Sequence, residues 1–130
     1  MADKVRVGLI GAGRTGTPLL KELFKFRYIE IVGVADINAR AQGIMLASAK
    51  GIFTTDNPMD LVKKAADMDI LIEVSGDAKL KKKIKAELEK KKNIKTIIMH
   101  DLIARLFISV ATKKAKLIPG FHPDDIGIGK

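Results

Sequence analysis

Apolar residues recur along the chain in two alternating rhythms. Short β-branched runs of the kind that fill buried strands are followed by stretches whose apolar residues fall three or four apart, as on one face of a helix. The first run is Val5–Ile10, and the stretch after it, residues 17–26, places Leu19, Leu20, Leu23, Phe24 and Phe26 at helical spacing. Pro18 suits the first turn of that helix, where its missing N–H would have had no partner. Ile29–Ala35 reads as a second strand closed by Asp36, and a helix is expected from about Asn38, acting as N-cap, to Lys50. Gly51 ends that helix and Gly43 weakens it.

The alternation continues. Residues 51–55 predict a brief third strand, Asn57-Pro58 opens a helix through Leu61, Val62 and Ala65, and residues 69–74 predict a fourth strand stopped by Ser75-Gly76. A lysine-rich helix over residues 79–95 follows, then a fifth strand at 95–99 and a helix at 103–114. Residues 116–119 are a candidate sixth, edge strand. Links this short between alternating strands and helices permit only right-handed crossovers in a parallel sheet. The expected architecture is an α/β, doubly wound, mostly parallel sheet of five to six strands in a single domain, residues 1–119. Residues 120–130 carry several breakers and no periodicity, and read as an irregular tail or a linker remnant.

The first strand runs into Gly11-Ala12-Gly13-Arg14-Thr15-Gly16. By itself a G-x-G-x-x-G hexapeptide is weak evidence. Here it follows a strand, opens a helix, sits in a βαβ unit and has an acid, Asp36, 20 residues beyond Gly16 at the end of the next strand. That context is the fingerprint of dinucleotide binding: Gly11 for the tight turn, Gly13 for close approach of a pyrophosphate to the backbone, Gly16 for packing of the helix on the sheet. The helix N-terminus offers unpaired N–H groups and a partial positive charge to the phosphates, and Arg14 and Thr15 add a cation and a hydroxyl. Asp36, followed by Ile37 and Asn38, would accept the adenosine ribose hydroxyls and repel a 2′-phosphate, which favours NAD. Arg14 and Arg40 supply the opposite preference, so NADP stands as the alternative.

Ligands of open parallel sheets gather at the carboxyl ends of the strands. Ser75, Gly76 and Asp77 after the fourth strand, and His100 and Asp101 after the fifth, are therefore candidate walls of the nicotinamide side. Ser75-Gly76-Asp77 reads equally well as a capped helix start, and adjacency of His100 and Asp101 in sequence is not a catalytic geometry. His122 lies deep in the tail, and two histidines so far apart have no metal-ligand spacing.

Cysteine is absent, which excludes a disulfide framework and a thiol nucleophile. The amino-terminal residues lack the apolar core of a secretory signal, and no apolar run approaches the roughly 18 residues of a membrane span. A cytoplasmic protein is expected. The formal charge of +9 permits nucleic-acid binding, but nine of the lysines fall between Lys79 and Lys95. Leu80, Ile84 and Leu88 recur every four residues there, so a core-facing stripe with lysines on the solvated face outweighs a nucleic-acid patch, which would interleave arginines and aromatics.

The loop at residues 7–16, the closing Val34-Ala35-Asp36 and the run Asp69-Ile70-Leu71-Ile72-Glu73-Val74-Ser75-Gly76 resemble the NAD-binding domains of the glucose-fructose oxidoreductase-like, homoserine dehydrogenase and aspartate dehydrogenase families. The resemblance spans about residues 4–119 and implies a Rossmann fold with a cofactor site. Where the oxidoreductase-like family carries Glu-Lys-Pro after its fifth strand, with a catalytic lysine, this chain has Met99-His100-Asp101. The substrate domain that follows in those families is not expected in so short a chain. Met99 to Phe107, with Ala35-Asp36-Ile37-Asn38 and Glu73-Val74-Ser75-Gly76-Asp77, also resembles Rossmann modules that precede PAS and histidine-kinase domains in bacterial sensor proteins.

The leading expectation is accordingly an NAD(P)-binding or sensing module without complete catalytic machinery, reporting to a further domain or partner protein. The alternative is the cofactor-binding half of an NAD(P)-dependent oxidoreductase acting on a small hydroxy or amino acid or related metabolite. An open sheet edge gives a homodimer a structural basis, though no motif specifies one.

Overall fold

The computed structural model describes residues 3–121; most of the expected tail, including His122, lies outside them. Five strands, β1 (Val5–Ile10), β2 (Ile29–Ala35), β3 (Phe53–Thr55), β4 (Ile70–Glu73) and β5 (Ile97–Met99), alternate with five helices. These are α1 (Gly16–Leu23), α2 (Gln42–Ala49), α3 (Pro58–Val62), α4 (Ala78–Lys90) and α5 (Asp101–Ala111), with a 3-10 turn at Ala65–Asp67. Every strand pair is parallel and the order is β3-β2-β1-β4-β5. The chain thus reverses its direction of winding at β1, whose two neighbours are β2 and β4.

Pleating sends successive side chains to opposite faces of the sheet, and the helices divide accordingly. Val7, Leu9, Val34 and Ile72 pack with Leu19, Leu20 and Leu23 of α1, Ile44 and Ala47 of α2, and Ala104 and Ile108 of α5. Ile10, Ala35 and Leu71 pack on the other face with Leu61 and Val62 of α3 and Leu80 and Ile84 of α4. Each fully buried Leu or Ile contributes about 1.5–3 kcal/mol, so both faces are needed to hold the sheet. The stripe expected in the lysine-rich helix is present, with Leu80 and Ile84 buried and Leu88 partly buried against the same cluster. Lys81 departs from it, being buried at 4% exposure rather than solvated.

Several boundaries differ from expectation. No strand forms at 116–119: the Ile118 N–H is taken by Ser109 Oγ and its carbonyl by Arg105 Nη1, so side chains of α5 satisfy the backbone that a sheet edge would have used. Helix α2 starts at Gln42 and its N-cap is Ala41, not Asn38. Asn38 instead accepts the Arg40 N–H at 3.0 Å and donates its own N–H to Asp36, a local turn that delays the helix. Helix α1 ends at Leu23, and α4 ends at Lys90 ahead of the left-handed Lys92. Asn57 caps α3 as expected, accepting the Met59 N–H at 3.1 Å.

Candidate functional site

The carboxyl ends of β1, β2 and β4 converge on one cavity of about 540 Å³, within the range of small-molecule and cofactor sites. The glycine loop forms its floor. Gly11 adopts a φ of +99°, open to glycine but not to a branched side chain, and a Cβ there would also meet the Ser75 backbone N at 2.9 Å. A Cβ on Gly16 would come within 1.7 Å of the Gly11 carbonyl oxygen, so the first turn of α1 can close onto the end of β1 only with glycine there. Gly13 differs, because nothing lies within 4 Å of where its Cβ would be. The first two glycine requirements are internal to the fold; the third leaves space.

Ala12 fixes the loop in place. It is fully buried; its N–H donates to Asp36 Oδ2 at 2.7 Å, and its carbonyl accepts from Thr17 Oγ1 at 2.6 Å and from the Gly43 N–H at 2.9 Å. One peptide segment is therefore gripped from β2, α1 and α2 together. Gly43 serves close approach: a Cβ on it would sit 2.7 Å from the Ala12 Cβ. Asp36 also accepts the Asn38 N–H through Oδ1 at 2.8 Å. Each carboxylate oxygen has a second lone-pair direction, so these bonds leave acceptor capacity for a ligand.

Of the residues expected at the site, Gly11, Gly13, Arg14, Thr15, Gly16, Asp36, Ile37 and Ser75 line the cavity. Ala12 lies beneath it, Asn38 turns to Arg40, and Gly76 forms the turn after Ser75 with a φ of +80°. The Ser75-Gly76-Asp77 segment is a capped helix start that also borders the cavity. Asp77 caps α4, accepting the Lys79 N–H at 2.9 Å and the Leu80 N–H at 3.2 Å, while Ser75 and Asp77 also face the cavity. Asn57, Pro58 and Met59 of the α3 turn, Leu80 and Lys83 of α4, and Phe121 complete the walls. Sequence reasoning missed these, since only the crossover geometry brings α3 and α4 to the loop.

His100 is not in the cavity wall. Its Nδ1 lies 3.6 Å from Oε1 of Glu73, which is completely buried, with Lys81 Nζ at 4.0 Å from the same oxygen. The other oxygen, Oε2, accepts both the N–H and the hydroxyl of Ser75. Burial alone would raise the Glu73 carboxyl; the His100 ring, the two Ser75 donors and the Lys81 charge outweigh it and hold the carboxyl below its ordinary value. A single acid in the apolar run of β4 was the sequence signal for this group. Asp101 turns away to Arg105, with Nε donating at 2.7 Å, so it does not orient the histidine. No group of three or more potential metal ligands occurs among the described residues.

The parallel order β3-β2-β1-β4-β5, with a glycine turn at the β1 crossover, defines a Rossmann-like α/β domain. No family model matches the chain. In sequence it is similar to acetaldehyde dehydrogenase 1/2 of Rhizorhabdus wittichii, 32% identical over 68 residues, covering 52% of this chain and 22% of that protein. An acetaldehyde dehydrogenase of Shewanella pealeana is 30% identical over 102 residues, covering 78% of this chain and 33% of that protein. The chain thus spans a third or less of the length of these relatives. Its fold is similar to that of myo-inositol dehydrogenase from Lactobacillus casei in complex with NAD(H) and myo-inositol, with a TM-score of 0.55 at 23% identity, covering 89% of this chain and 36% of that one. It is also similar to the WlbA dehydrogenase of Chromobacterium violaceum in complex with NADH and UDP-GlcNAcA, with a TM-score of 0.56 at 23% identity, covering 86% and 33%. These likenesses to solved structures are likenesses of fold.

Proposed function

We propose that this chain binds a nicotinamide dinucleotide in the cavity above the glycine loop and is related to the cofactor-binding half of NAD(P)-dependent oxidoreductases. The observation that carries the reading is the contrast among the glycines. Gly11 and Gly16 are required by the fold itself, whereas the Cβ position of Gly13 is open, as a pyrophosphate lying against the backbone needs. The dehydrogenase identities of the relatives support an oxidoreductase setting over a sensing one.

Gly13, Arg14, Thr15 and the first turn of α1 would hold the phosphates through N–H groups, the guanidinium and the hydroxyl. Asp36 would accept the ribose hydroxyls, and its charge opposes a 2′-phosphate, which favours NAD over NADP; Arg40, the cation on which the NADP reading partly rests, is not among the lining residues. A bound dinucleotide supplies hydride transfer at its nicotinamide ring. The chain's own part is binding and orientation: buried Glu73 faces the partly buried His100, and neither lines the cavity. The exposed apolar row Leu102, Ile103, Leu106, Phe107 and Val110 on α5 offers a further domain or a second copy a surface to pack on.

Calorimetric titration with NAD, NADH, NADP and NADPH tests the reading. Binding of NAD or NADH with Kd below about 1 mM, stronger than for the 2′-phosphorylated forms, is expected, with loss in Gly13→Val. Failure of all four to bind the unaltered chain overturns it.

A further inference from the structure

Beyond α5 the chain returns to the glycine loop along a path set by side chains of that helix. Arg105 Nε donates to Asp101 Oδ2 at 2.7 Å, and its Nη1 donates to the Ile118 carbonyl at 3.2 Å. Ser109 Oγ donates to the Arg105 carbonyl at 2.6 Å and accepts the Ile118 N–H at 3.0 Å. Both backbone groups of Ile118 are thereby held, and its side chain packs against the core. A Cβ on Gly120 would lie 3.2 Å from Arg105 Cζ, so the chain passes close over that guanidinium. Phe121 follows at once. Its ring lies under the guanidinium of Arg14, with Cζ 5.0 Å from the ring centroid, and both residues line the cavity.

We propose that Phe121 is a positioning residue of the ligand site, holding the Arg14 guanidinium on its ring so that the guanidinium's N–H donors stay available to the diphosphate of a dinucleotide. The inference rests on the dinucleotide reading above. An aromatic face carries no lone-pair acceptor, so a guanidinium over it commits at most one of its five N–H donors and keeps the others for a ligand. The contact therefore orders Arg14 while leaving most of its donors for phosphate. An arginine free in solvent would surrender rotamer freedom on gripping the ligand, whereas one already held against a ring surrenders less. Phe121, at the start of the stretch expected to be a linker remnant, thus becomes part of the site, and Arg105 and Ser109 anchor the chain just before it at Ile118.

Titration of the full chain with NAD and, separately, with adenosine, which lacks phosphate, tests this in the unaltered protein and in Phe121→Ala, Phe121→Leu, Phe121→Trp and Arg14→Ala. The expected result is NAD binding weakened about two- to fivefold in the Ala and Leu variants, retained in the Trp variant, with adenosine binding unchanged in all three. Combined with Arg14→Ala, Phe121→Ala should add little further loss, because the ring acts through the arginine. Equal loss of NAD and adenosine binding, retention in Phe121→Leu, or additivity with Arg14→Ala would each overturn the proposal while leaving the dinucleotide reading intact. Absence of NAD binding by the unaltered chain would overturn both.

Discussion

Asp36 Oδ2 accepts the backbone N–H of Ala12 at 2.7 Å, across 24 positions of sequence, so the acid that closes β2 also clamps the glycine loop. One carboxylate thereby serves the fold before any ligand arrives. Replacing Asp36 with Ala leaves the N–H of a fully buried residue without its acceptor, which costs about 1–3 kcal/mol. Urea denaturation should show that loss, and dinucleotide titration should show weakened binding in the same variant. A variant as stable as the unaltered protein would mean that the bond contributes nothing net.

The glycines of the loop should separate by substitution. Gly16→Ala forces a methyl group against the Gly11 carbonyl oxygen, an overlap no side-chain rotation relieves, and should destabilise by at least about 2 kcal/mol. Gly13→Ala meets open space and should leave stability within about 0.5 kcal/mol while weakening the dinucleotide. Thermal unfolding paired with calorimetric titration reads both quantities.

Glu73 gives the stability a defined acid limb. Because the folded carboxyl is held below its ordinary value, its contribution is fully present above about pH 4.5 and is lost as the pH falls from there through the folded value. Glu73→Gln should flatten the pH dependence of unfolding free energy in that acid window. It should also lower stability at pH 7, since Lys81 then lies buried beside a neutral amide. A slope identical to that of the unaltered protein would assign acid unfolding to other carboxylates.

The lysine-rich helix should depend on its stripe rather than its charge. Ile84→Ala removes a fully buried side chain from the core beneath α4 and should cost about 2–5 kcal/mol, whereas Lys82→Gln on the exposed side should change stability by no more than about 0.5 kcal/mol. Chemical denaturation of the two variants gives the comparison directly. Retention of duplex DNA by the chain at physiological salt, which the placement of these lysines argues against, would restore their charge to a functional role.

Much of the fold is local in origin and was legible from the chain alone. Strand and helix announced themselves by period, the Asn57 cap by residue type and position, and the glycine loop by its strand-turn-helix context with Asp36 at the end of the next strand. Short crossovers then left a parallel, doubly wound sheet as the consistent arrangement. The expectations that failed are those where a side chain took a backbone hydrogen bond that a regular element would have used. Asn38 gave up the cap of α2 to a local turn built on Asp36, and residues 116–119 gave up a strand because Arg105 and Ser109 satisfied Ile118 first.

What the sequence by itself determined is the element order, the parallel sheet and the glycine turn between β1 and α1, because each follows from periodicity and from the backbone freedom of particular residues. Only the tertiary structure decided that Ala12 is gripped from three elements, that His100 faces Glu73 instead of the cavity, and that Phe121 returns to Arg14. These are contacts between residues whose separation along the chain carries no periodic signal. They exist because packing both faces of one sheet leaves each buried polar group and each strand end a small set of neighbours.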